Sequence, residues 1–108
     1  MNACSYIYVI DETMKVDKIK LERAAYILKA MAHETRLCVL MHLTKSKEMS
    51  VSDLMEKVGC EQSLLSHHLT DLRAKGILNS RRDGQRNLYS INNDQIIPLL
   101  ECIFNYSK

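Results

Sequence analysis

The most constraining stretch of the chain lies between Ser50 and Gly76, where two short apolar repeats are each closed by a glycine. In the first, Val51, Leu54, Met55 and Val58 recur at helical spacing and Gly59 follows. Ser50-Val51-Ser52-Asp53 ahead of it is an S-x-x-D capping pattern, in which serine and aspartate each satisfy a backbone N–H at the helix start. In the second, Leu65, Leu69 and Leu72 stand at i, i+4 and i+7, and Gly76 follows. Glycine is favoured just past a helix end because the chain turns there through positive φ. The spacing therefore predicts helices over 51–58 and 62–75, joined by a turn of about three residues, which is a helix-turn-helix.

The pattern then becomes extended. Residues 77–82 and 85–91 flank Asp83-Gly84, and Asp-Gly between strand-like runs is a strong hairpin signal. Upstream, Ile19, Ala24, Ile27, Leu28 and Met31 predict a helix over 17–31 with Asp17 as N-cap. A broader apolar stripe through Leu37, Leu40 and Met41 predicts a mostly buried helix over 33–45. After Asn92-Asn93-Asp94, Ile96, Leu99, Leu100, Ile103 and Phe104 predict a last helix to Tyr106. Its regular part begins near 95–97, since Pro98 is tolerated only in a first turn. The fold class is mostly α with a small β-hairpin, in the order α-α-(β)-α-α-β-β-α: a winged helix-turn-helix over 17–108. Residues 1–16 read as an N-terminal arm, with a β-prone run at 6–10 that has no obvious partner strand.

Composition narrows the function classes. At 108 residues, 46% hydrophobic and 26% charged, the chain is globular and holds one modest core. It is too short for a barrel enzyme or a two-lobed nucleotide-binding fold. No H-E-x-x-H, nucleophile elbow or glycine-rich phosphate loop is present, so no enzymatic activity and no cofactor are expected. No secretory start and no apolar run of membrane-spanning length is seen, which predicts a cytoplasmic protein that makes no use of a membrane. Cys4, Cys38, Cys60 and Cys102 form no C-x-x-C pattern and read as free thiols in a reducing compartment.

With Leu65, Leu69 and Leu72 turned inward, Ser63, Ser66, His67, Thr70 and Ala74 point outward, and Gln62 stands at the helix start. A plain solvated face would carry more lysine and glutamate, which are better helix formers. Small donors and acceptors instead suit close approach to base edges in a major groove. Arg73, Lys75, Arg81, Arg82 and Arg86 oppose Glu61, Asp71 and Asp83, so the segment 61–89 carries a net charge of 5 − 3 = +2, equal to that of the whole chain. Arg81, Arg82, Gln85 and Arg86 surround the predicted wing tip, where arginine suits phosphates or a narrow minor groove. The expected contact set for double-stranded DNA is Gln62, Ser63, Ser66, His67, Thr70, Arg73, Arg81, Arg82, Gln85 and Arg86. His67 and His68 are adjacent and do not share a helix face, so they make a poor chelate and no metal site is expected. A winged-helix module that binds protein rather than DNA is the competing reading, favoured if the run at 6–10 were an exposed docking arm.

Over about residues 20–106 the sequence resembles the ArsR/SmtB family of small transcriptional repressors. A-M-A-H-E-T-R-L at 30–37 is similar to the family's A-L-A-D-P-T-R-L, and Q-S-L-L-S-H-H-L at 62–69 to its Q-x-x-V-S-H-H-L recognition helix. L-R-A-K-G-I-L at 72–78 resembles L-R-x-A-G-L-V, and R-D-G-Q-R-N-L-Y at 82–89 resembles the wing pattern R-x-G-R-x-x-x-Y. The resemblance implies a homodimer joined through its first and last helices. It also implies a partly palindromic operator, released when an inducer arrives. Two departures stand out: His33 and Glu34 replace an aspartate and a proline, and Glu61, a poorer N-cap, replaces serine or threonine.

The resemblance also bears on the inducer, which the sequence leaves unidentified. The thiol-metal type of site has two cysteines where this chain has Ser50 and Ser52, poor ligands for soft metals. The zinc or nickel type falls at Asn93, Gln95 and Tyr106, with a fourth position past Lys108, and holds no imidazole. The persulfide or oxidant type pairs a cysteine of the second helix with one of the last. Cys38 and Cys102 occupy those helices, though the usual positions fall at Met41 and Lys108. His42 shares a face with Cys38 and, protonated, would raise its thiolate fraction. The pair could also supply two ligands of a metal site, while its first reading is a half-exposed thiol beside an unrelated histidine. Cys60 is expected to fill an apolar pocket. A thiol signal at Cys38 and Cys102 is thus favoured over a metal.

Overall fold

The structure, a computed structural model, describes residues 7–11 and 14–106, with side chains over 17–105. In chain order the described elements are β1 (Ile7–Asp11), β2 (Met14–Asp17), α1 (Lys18–Met31), α2 (Glu34–Ser46), β3 (Met49–Ser50), α3 (Val51–Val58), α4 (Gln62–Ala74), β4 (Leu78–Asp83), β5 (Arg86–Ile91) and α5 (Ile96–Tyr106). The backbone forms two compact units, one ending at Ala30 and the other beginning at Met31.

In the first unit, the β-prone run has a partner after all. β1 pairs antiparallel with β2, Tyr8 opposite Val16 and Val9 opposite Lys15, with an irregularity between Val9 and Asp11. The partner, Met14-Lys15-Val16-Asp17, alternates apolar and charged residues but is too short to stand out as a strand by pattern. Asp17 then starts α1 as expected, its Oδ1 accepting from the Ile19 N–H at 2.9 Å. Ile19, Leu21, Tyr26 and Leu28 on α1 are exposed in the chain.

In the second unit, Val39, Leu40 and Leu43 of α2, Leu54 of α3, and Leu65, Leu69 and Leu72 of α4 are buried. Ile77, Leu78 and Leu100 complete this core. Its stability follows from apolar area removed from water, so truncating one such leucine to alanine costs about 2–5 kcal/mol. β3, β5 and β4 form a small antiparallel sheet in that order, with Met49 opposite Tyr89 and Ser50 opposite Leu88. Leu78 stands opposite Ile91 and Asp83 opposite Arg86. The hairpin loop is therefore Gly84-Gln85, one residue later than expected. Gly84 has φ 65°, and a two-residue loop that opens on glycine needs that positive φ at its first position.

The caps account for the element boundaries. α2 starts after His33, whose Nδ1 accepts from the Thr35 N–H at 3.0 Å, so histidine itself caps the helix at one of the positions that depart from the resembled pattern. The box ahead of α3 is complete: Asp53 N donates to Ser50 Oγ at 3.1 Å, and Ser50 N to Asp53 Oδ2 at 3.2 Å. Gly59 closes α3 in the left-handed region, φ 74° and ψ 26°, its N–H bonded to the Met55 carbonyl at 3.0 Å. Pro98 lies in the first turn of α5, where its missing N–H costs nothing.

Candidate nucleic-acid interface

α3 and α4 meet through the Gly59 turn, and α4 presents the outward face that its leucine spacing requires. Gln62, Ser63, His67, Thr70 and Arg73 are exposed, while Ser66 is half-buried at the margin. Glu61 makes no side-chain cap hydrogen bond to α4 and instead accepts from Ser63 Oγ at 3.0 Å. The first N–H groups of α4 thus receive no side-chain cap, at the end of a helix where the backbone dipole favours an anion.

The opposite flank of α4 is anchored to α2. His68 is only 5% exposed, and its Nδ1 accepts from Arg36 Nε at 2.9 Å. Arg36 also pairs with Asp71 at 2.7 Å, and Lys75 pairs with the same carboxylate at 2.5 Å. These cations, the hydrogen bond from Lys75 first, hold the Asp71 carboxyl below the ordinary carboxylate range. The His33 ring lies 4.6 Å from that of His68, centroid to centroid. Burial, and then the Arg36 charge, push the His68 imidazole below its ordinary value, so it is held neutral. Its buried Nε2 has no hydrogen-bond partner. Lys75, counted by sequence with the basic groups of this segment, is thus turned to Asp71.

The wing stands beside α4, and Arg73 Nη1 donates to Ser80 Oγ of β4 at 3.1 Å. Arg81 makes a bidentate pair with Glu48, at 2.7 and 2.9 Å. The hydrogen bond from Arg81 holds the Glu48 carboxyl below its ordinary range. Arg86 reaches Asp53 Oδ2 at 3.3 Å, the same oxygen that closes the capping box on α3. Arg82 Nε donates to the Gly84 carbonyl at 3.2 Å, folding back over the loop, and Gln85 is exposed at the tip. The acids that hold Arg81 and Arg86 are each 33 residues earlier in the chain, so no local pattern announces them.

The thiols lie elsewhere. Cys38 and Cys60 are half-buried, Cys102 is exposed, and all three are free; Cys4 lies outside the described residues. Cys38 borders a cavity of about 330 Å³ lined by Glu34, Leu37, Met41, His42 and Phe104. Phe104, rather than Cys102, represents α5 in that wall. Among the described residues no group of three His, Cys, Asp or Glu side chains is placed to hold a metal ion, and no helix is long and apolar enough to cross a membrane.

Comparison with known proteins accords with this geometry. The profile of the bacterial regulatory protein arsR family matches residues 33–80, from the α2 cap to β4. The HTH-type transcriptional regulator YgaV of Escherichia coli K12 is 39% identical over 84 residues, covering 78% of this chain and 85% of that protein. The transcriptional repressor PagR of Bacillus anthracis is 34% identical over 89 residues, 82% of this chain and 89% of its own. The PagR crystal structure superposes with a TM-score of 0.74 at 33% identity, covering 81% of this chain and 99% of that one. The homodimeric winged helix-turn-helix domain of Mb0332 from Mycobacterium bovis, solved by NMR, gives 0.74 at 26% identity over 82% of each chain. These relatives are transcription regulators rather than enzymes, and with a helix-turn-helix, a wing and this level of identity in common, the chain belongs to the ArsR family of DNA-binding regulatory proteins.

Proposed function

We propose that the chain is a homodimeric repressor that reads a partly palindromic operator with α4 and grips the flanking phosphates with its wing. One observation carries this reading: the exposed, small and polar face of α4 lies beside a hairpin bearing three exposed arginines. Gln62, Ser63, Ser66, His67 and Thr70 supply donors and acceptors to base edges, while Arg73, Arg81, Arg82, Gln85 and Arg86 supply contacts to the backbone. The dimer is supported by apolar side chains exposed on α1, and by others exposed on α5: Leu99, Ile103 and Phe104. Two-fold symmetry sets the reading helices into successive major grooves about 34 Å apart.

Titration onto the DNA upstream of its own gene, at two salt concentrations, tests the reading. Tighter binding there than to random duplex at both salts is expected, and equal affinity contradicts it.

The inducer acts through thiols in this reading, at Cys38 and Cys102. Support comes from the half-buried Cys38 beside His42 and its small cavity. Cys102 lies two positions from Phe104, about 200° round α5. A Cys38–Cys102 link therefore needs α5 to turn or a second chain to supply one thiol. Mass spectrometry after mild oxidant or persulfide, paired with DNA binding, decides it: modified thiols with lost binding are expected, and unchanged thiols with unchanged binding contradict it.

A further inference from the structure

Leu64 lies in the first turn of α4 and is 48% exposed. A single exposed leucine is ordinary on a protein surface. Its setting is not, because every other exposed large hydrophobic among the described residues belongs to α1 or α5. Leu64 alone stands in the helix-turn-helix, about 60° round α4 from the exposed His67 and 100° from the exposed Ser63. At 100° per residue it sits about 100° from the centre of the Leu65/Leu69/Leu72 face, on the flank of His68 and Asp71 but a turn or more nearer the helix start than Asp71, and outside the core. Helix formation does not require it, since lysine, arginine and glutamine are comparable helix formers and would be well solvated. In a recognition helix the first turns meet the base edges. Among the four bases only thymine presents a methyl group at its major-groove edge.

We propose that Leu64 packs on the C5 methyl of one thymine in each operator half-site and so fixes the base at that position. The proposal rests on the DNA-reading function above. Leucine offers no donor or acceptor, so a cytosine amino group placed there would lose its water without a replacement partner. The favourable contact needs only the methyl and the removal of apolar surface from water.

The test replaces each operator thymine by uracil, one symmetric pair at a time, which removes the methyl and leaves the O4 acceptor. For the unaltered protein, one pair is expected at which uracil weakens binding about fourfold per half-site, the worth of one buried methyl. The same swap should have no effect on Leu64→Ala, and Leu64→Gln should likewise bind the thymine and uracil forms equally. Both variants keep their fold, checked by circular dichroism and thermal melting, because the side chain is outside the core. The proposal is overturned if no pair is sensitive, or if the variants keep the sensitivity of the unaltered protein. Failure of the DNA-reading function shows itself earlier and separately, as no preference for the operator over random duplex before any uracil is introduced.

Discussion

His68 shows how one side chain fixes the attitude of the reading helix. Its Nδ1 takes a hydrogen bond from Arg36 only while the imidazole is neutral, and burial beside that guanidinium disfavours the charged form. With the folded-state value depressed, the unfolded chain binds the proton more readily. The stability contributed by neutral His68 is therefore present above the ordinary histidine value, about 6.5, and is lost as pH falls below it toward the folded-state value. Chemical denaturation at pH 7.5 and pH 5.5 is expected to show a drop in midpoint that is shallower in His68→Gln. Glutamine keeps an acceptor for Arg36 and cannot be protonated. An equal drop in both proteins would remove His68 from the account. None of this is legible locally: spacing places residue 68 on the flank of α4, but the arginine that meets it lies 32 residues earlier.

Among the elements, the wing carries the largest difference between what pattern shows and what packing adds. The alternation, the Asp-Gly signal and the arginines announce a basic hairpin. Its loop lies one residue later, because positive φ is better placed on Gly84 than on Asp83. The acids opposite the arginines come from tertiary folding alone. Glu48 and Asp53 pair with Arg81 and Arg86, so phosphates must compete for both guanidinium groups. Glu48→Gln is expected to tighten DNA binding several-fold at low salt by removing that competitor. Arg86→Ala is expected to weaken binding to all sequences and to flatten the log–log salt dependence by about 0.9 per lost phosphate contact. Unchanged affinity and slope in both would place the wing away from the duplex. The helices were more legible than the wing, since α2, α3, α4 and α5 are written in apolar spacing, and α3 also in its capping box, none of which needs a distant partner. β2 was not, because a run of four residues, two of them charged, acquires strand character only by pairing with β1.

At the scale of the whole molecule, α1 and α5 each leave large apolar side chains in water, and for a chain of 12.5 kDa this is a considerable cost in free energy. A second copy of the chain is the occupant that the two-fold account requires. Sedimentation equilibrium is expected to give twice the chain mass, and Phe104→Glu to shift it toward the monomer while weakening operator binding. A monomer that binds the operator with undiminished affinity would contradict the dimer. The inducer chemistry was least legible, because Cys38 and Cys102 stand off the positions of the family pattern.

In the proposed complex α4 of each subunit enters a major groove of one operator. Footprinting of the bound upstream duplex reads that placement. Two major-groove patches of protection are expected, about 10 base pairs apart or a multiple of that, related by a dyad. Protection that is uniform along the duplex, or confined to one unpaired patch, would contradict it.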